Sequence, residues 1–133
     1  MANRYYRSQF NFSNSAKPVT LRAKVSIGAS GAPTLVSGTG RGIASVVRVS
    51  AGLYDITLDR AFNGLMMMNV MPIAPSGVSA APIINVVSEQ VATASAPKIR
   101  IQTNDADTPA ATDPASGESL MLEIQLNDSS LDY

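Results

Sequence analysis

Residues 64–72 read GLMMMNVMP and hold four of the chain's six methionines. Thioether sulfur is a soft donor that suits Cu(I), so a methionine tract raises the question of a metal site. Such a site needs several sulfurs on one side of the backbone. In an extended strand successive side chains alternate, so Met66 and Met68 share one face and Met67 takes the other. At most two sulfurs converge, or three if Met71 bends round with Met67. The chain has no His and no Cys to complete the donor set, so we expect no metal and no cofactor. A strand covered on both faces, by its own sheet and by a neighbour, needs apolar residues at every position. Methionine fills irregular gaps and adapts to a partner. The tract therefore reads as a two-faced strand, with Met67 as a partner contact.

The remaining candidates for chemistry are weak. Without His or Cys, Ser-His-Asp and Cys-His nucleophile systems cannot form within one chain, nor can zinc sites built on those residues. GTGRG at 38–42 lacks the Lys-Ser/Thr and the following helix of a phosphate-binding loop, so its glycines read as a turn. Asp105, Asp107 and Asp113 supply oxygens, but NDADTPAATD has neither the glycine nor the terminal glutamate of a calcium loop in register. It reads as a solvated loop. Asp55, Asp59 and Glu123 fall on outward strand positions, with no sign of the cleft that paired carboxylates need for glycoside hydrolysis. The chain does not read as an enzyme.

Composition points to a protein that lives against neighbours. The 133 residues fit one domain and are 45% hydrophobic, yet only 15% are charged, against a usual value of about 25%. Formal net charge is zero, but the charges are segregated. Met1–Arg48 carries seven basic residues and no acidic one, whereas Ala61–Tyr133 carries two basic and eight acidic residues. Either strands of the two halves interleave and the charges pair, or the asymmetry serves contacts with a partner. The first thirteen residues, MANRYYRSQFNFS, have no apolar core of a signal peptide, and no run approaches the ~20 apolar residues that span a bilayer. We expect synthesis in the cytoplasm and no membrane partner.

The elements that position these residues are strands. Residues 1–17 read as an arm holding two of four tyrosines and two of three phenylalanines, and such aromatics need something to pack on. Arg4, Tyr5, Tyr6, Arg7, Phe10 and Phe12 are the expected partner contacts. Arg interleaved with aromatics also suits single-stranded nucleic acid, but the neutral chain shows no recognised module for it, and a protein partner is preferred. PVTLRAKVSI alternates, with Val19, Leu21, Ala23, Val25 and Ile27 inward. PTLVS is a short piece between turns. GIASVVRVS and LYDITLD form a hairpin through Ala51–Gly52, with Tyr54, Ile56 and Leu58 inward. LMMMNVMP, IINVVSEQV, KIRIQT and SLMLEIQLN follow, and a long polar loop spans 104–118. The expected fold is all-β: one antiparallel sandwich or barrel of about seven to eight strands over 18–133, preceded by the arm.

The stretch GRGIASVVRVSAGLYDITLDRAFNGLM at 40–66 resembles a line found in small virion structural proteins of tailed bacteriophages. The resemblance rests on Gly40, Gly42, Ile43, Arg48, Gly52, Tyr54, Ile56, Leu58, Phe62 and Leu65, and it covers about a fifth of the chain. It implies a capsid decoration or cement protein on the outer capsid surface of the virion. Such a protein bridges neighbouring subunits of the major capsid protein and commonly forms a homo-oligomer, here a dimer or trimer. It brings no catalytic residues. The alternative is a carbohydrate- or receptor-binding β-domain of a head fibre or tail, using exposed aromatics to stack on sugars.

Overall fold

The computed structural model describes residues 18–75, 82–105, 107 and 110–128. The arm, and with it Arg4, Tyr5, Tyr6, Arg7, Phe10 and Phe12, lies outside the described residues. Eight strands follow in order: β1 (Pro18–Ile27), β2 (Pro33–Leu35), β3 (Ile43–Ser50), β4 (Leu53–Leu58), β5 (Gly64–Ile73), β6 (Ile83–Gln90), β7 (Lys98–Asn104) and β8 (Ser119–Asn127). A single 3-10 turn at Ala29–Gly31 is the sole helical element among the described residues.

The strands form two four-stranded antiparallel sheets, ordered β2-β1-β8-β5 and β3-β4-β7-β6, which face each other as a sandwich. Alternation drives this arrangement. In β1, Leu21, Ala23, Val25 and Ile27 are buried, and in β8, Leu120, Leu122, Ile124 and Leu126 are buried. Val25 pairs with Leu120, Ala23 with Leu122 and Leu21 with Ile124, so the central pair of the first sheet presents one continuous aliphatic face. From the second sheet, Tyr54, Ile56 and Leu58 of β4 and Ile99 and Ile101 of β7 meet it. The side chains on these two inner faces remove most of the apolar area from water, the main stabilising term of a sandwich.

Strand β5 departs from simple alternation. Leu65 pairs with Leu126, but Met67 pairs with Gln125 and Met68 with Ile124, so Met66 is the extra residue of a β-bulge. The bulge resets the period. Met68 and Val70 pack against the core, while Met67, Asn69 and Met71 face outward. Met66 and Met68 therefore do not share a face, contrary to the alternation expected from sequence. Pro72 does not end the strand either, which runs on to Ile73 beside Ser119.

Turn glycines fix the ends. Gly52, between β3 and β4, has φ +70, and a Cβ there would lie 2.5 Å from the Thr103 carbonyl oxygen and from the Thr112 nitrogen. Its own carbonyl accepts from the Thr103 N–H at 2.7 Å. Only glycine satisfies both the left-handed backbone and the close approach. Gly52→Ala is expected to cost about 2–4 kcal/mol from strain and backbone displacement. A urea unfolding curve checks this through a lower midpoint with an unchanged slope.

Candidate interaction surface

The outer face of the first sheet carries β5 and β8 side chains that the core does not need. Met71 pairs directly with Met121, and Met121 with Lys24 of β1, so the three side chains stand in one row across the sheet. The next row is Asn69, Glu123 and Arg22. Between these rows runs an open groove of about 370 Å³ lined by Arg22, Lys24, Asn69, Met71, Met121 and Glu123. Met67 lies further along the same strand and is 53% exposed; Met71 is 63% exposed. The two sulfurs lie on one outward face, and Met121 adds a third. Among the described residues no group of three or more His, Cys, Asp or Glu is placed to hold a metal.

An exposed methionine row on a sheet face is unusual chemistry for solvent. Its polar neighbours are an ion pair, Arg22 Nε to Glu123 Oε2 at 2.9 Å, which is too exposed to stabilise the fold by more than about 1 kcal/mol. The result is a flexible, polarisable strip with one salt bridge beside it. Such a strip adapts to a partner surface rather than gripping one small molecule. Among the described residues nothing covers the outer side of β5, where Met67 and Met71 stand exposed. More apolar surface lies on the second sheet, at Ile83, Val86 and Val87 of β6 and at Val47 and Val49 of β3.

The centre of the second sheet's outer face is charged instead. Asp55 of β4 pairs in register with Arg100 of β7, which donates through two nitrogens at 2.6 and 2.9 Å, and Lys98 adds a third contact at 3.4 Å. Asp55 takes an outward position, as the alternation requires, but the two cations cover it almost completely. Hydrogen bonding from Arg100 holds its carboxyl below the ordinary range, against the opposing effect of burial. Arg60 forms two bonds to Asp128 at 2.9 Å and lies over the Phe62 ring at 4.1 Å.

Behind this surface, one carboxylate organises an entire end of the sandwich. Asp113 accepts from Arg48 Nε at 3.0 and 3.1 Å and from Arg48 Nη2 at 2.8 Å. It also accepts from the Gly52 N–H at 2.8 Å. The Tyr54 hydroxyl sits 3.2 Å from Asp113 Oδ1 and 2.9 Å from the Gly31 carbonyl oxygen, to which it donates. The long loop is therefore not simply solvated. Asn104 bridges Ala111, Thr112 returns to the Thr103 carbonyl at 2.9 Å, and Asp113 clamps the loop onto the β3–β4 turn. In the sequence Asp113 reads as one of three loop oxygens. Its partners lie some sixty residues away, and the only local hint was the following Pro114.

Charge segregation is partly absorbed inside the chain. Arg22 and Arg48 from the basic first third meet Glu123 and Asp113 from the acidic last part. Of the two readings that the charge pattern leaves open, these pairs follow the interleaving of halves. Compared with protein-family models, with curated proteins and with solved structures, the chain finds no match.

Two carboxylates set opposite pH trends. The Arg48 bonds hold Asp113 below its ordinary value of 3.8, with burial opposing and the Gly52 amide assisting. A carboxyl depressed on folding contributes stability above its unfolded pKa and loses it as pH falls through the folded value. Glu118 is the reverse case: it is buried, its Oε2 has no hydrogen-bond partner among the described residues, and burial raises it above its ordinary 4.5. Its contribution is present below the unfolded pKa and is lost as pH rises through the folded one. We expect Asp113→Asn to weaken the native state near neutral pH and to flatten the loss of stability below about pH 4. Glu118→Gln is expected to strengthen it near neutral pH. Urea titrations of both variants from acid to neutral pH check the two signs.

Proposed function

We propose that the protein decorates and stabilises the capsid of a tailed bacteriophage from the outer surface of the virion. It binds the major capsid protein and bridges neighbouring subunits, as a homo-oligomer of two or three copies, without enzymatic activity. The observation that carries this reading is the exposed methionine row of β5 and β8, with Met67 and Met71 more than half uncovered in the single chain. The likeness of residues 40–66 to small phage virion proteins supports it, as does the low charge content. The arm adds Arg4, Tyr5, Tyr6, Arg7, Phe10 and Phe12 to the contact. Each copy buries modest area, and many copies on one lattice add up through multivalency.

The sugar- or receptor-binding alternative draws less support. It needs exposed aromatic faces, and the two aromatics among the described residues, Tyr54 and Phe62, are both buried.

Met67→Glu combined with Met71→Glu places two charges on the proposed contact without touching the core. Mixed with capsids that lack the protein, this variant is expected to lose at least about tenfold in affinity, equivalent to ~1.4 kcal/mol, while its circular dichroism is unchanged. Co-sedimentation measures the bound copies. Undiminished decoration by the double variant would remove the methionine row from the contact.

A further inference from the structure

The sandwich closes on one side and not on the other. On the closed side, β3 lies against β1 and β2. On the opposite side, no such strand contact joins β5 to β6; the two edges are tied at one end by the Phe62 N–H donating to the Val91 carbonyl at 2.8 Å. Ile84 and Val86 of β6 pair with the buried Thr103 and Ile101, so register turns them toward the interior. Val86 nevertheless remains 43% exposed. Across from them, Leu65, Met68 and Val70 of β5 reach the core but are only half-buried. Side chains that point inward and still meet water outline a part-open mouth at this edge of the sandwich. Beside it, β5 pairs with β8 alone among the described strands, leaving its outer edge unpaired.

We propose that residues 5–12 of the same chain lie along β5 as an antiparallel strand and turn Tyr6, Phe10 and Phe12 into the mouth between β5 and β6. Three observations name this occupant. The first is where the arm starts: Pro18 and Gly64 both pair with Asn127, so the arm joins the sheet at the end where β5 begins. Coming from that end, it runs against the direction of β5, the orientation an antiparallel ladder needs.

The second is length. Pro18 lies two strand spacings from β5 and three from a strand added beyond it, about 10 and 14 Å, and residues 13–17 extend over about 16 Å. That leaves residues 5–12 free to run beside Met67–Met71, the stretch of β5 between its bulge and Pro72. The third is pattern: from Tyr6 to Phe12, even positions read Tyr, Ser, Phe, Phe and odd positions read Arg, Gln, Asn. This is the two-faced alternation of an edge strand. The aromatic face supplies bulk that the aliphatic and methionine lining of the mouth lacks, and ring–sulfur contact with Met68 is favourable.

The arrangement holds whether or not the protein decorates a capsid. It withdraws Tyr6, Phe10 and Phe12 from the shell contact given to the arm above and leaves Tyr5 and Arg7 on the outer side, beside Met67 and Met71, where they widen the surface assigned to the shell.

Residue-resolved hydrogen exchange on the full chain, with no capsid present, tests it. We expect the β5 amides within Met67–Met71 that face away from β8 to exchange at least about tenfold faster after Phe10→Ser with Phe12→Ser. Amides of β1 and β8 should be unaffected, and protection should not depend on protein concentration. Equal exchange in the two chains overturns the proposal. So does protection that rises with concentration, which assigns the mouth to the arm of a second copy. The chain has no cysteine, so a spin label at Asn11→Cys gives an independent reading. Broadening of the Met67–Met71 signals in dilute protein supports the proposal, and its absence there overturns it.

Discussion

The carboxylate of Asp113 is the constraint on which one end of the molecule depends. It receives the Arg48 guanidinium, the Gly52 amide and the approach of the Tyr54 hydroxyl, which itself bonds the Gly31 carbonyl. Three connections, β1–β2, β3–β4 and β7–β8, thereby meet at one charged group. The Tyr54 ring beneath is fully buried, and burial followed by the nearby Asp113 charge pushes its phenol well above the ordinary value. The proton therefore stays on the hydroxyl, where the Gly31 carbonyl needs it. Gly31 itself leaves no space for a side chain: a Cβ would lie 2.5 Å from the Asp113 Cγ. Charge, turn geometry and packing at this end specify one another, and removing any one of them leaves the others unsatisfied.

The other face of this economy is the β5–β6 side. Core strands β1, β4, β7 and β8 bury their inward residues almost fully, but β5 and β6 do not. The edges carry irregularities: Met66 in β5, Val87 in β6, and Ala44 and Val49 in β3 are bulged out of register. Bulges twist an edge away and discourage indiscriminate pairing with other chains. An edge can thus be apolar enough to accept a specific partner and irregular enough to refuse a generic one.

Much of the fold was legible because its central strands obey the simplest rule. β1 and β8 alternate without interruption, and their limits read directly from PVTLRAKVSI and SLMLEIQLN. β5 was less legible because period-two counting fails across a bulge. One extra residue at Met66 moved Met66 out of the Met68 face, and nothing in GLMMMNVMP marks which methionine is the extra one. The clamp was illegible for another reason. An aspartate in a polar loop looks the same whether it meets water or an arginine sixty-five positions away. The burial of Asp55 was hidden likewise, because its cover comes from Arg100 and Lys98 on a strand far along the chain.

Strand order also sets a schedule. The second sheet, β3-β4-β7-β6, lies wholly within residues 43–104. The first is not: β1 and β5 are joined only through β8, the last of the described strands in chain order. Beyond their short pairing with β2, residues 18–27 must wait for residues 119–127, a loop closure across nearly the whole domain, before their full ladder forms. Until then β1 is paired only with β2, over Val25–Ile27. The low charge of the sequence then leaves apolar surface exposed for as long as that closure takes.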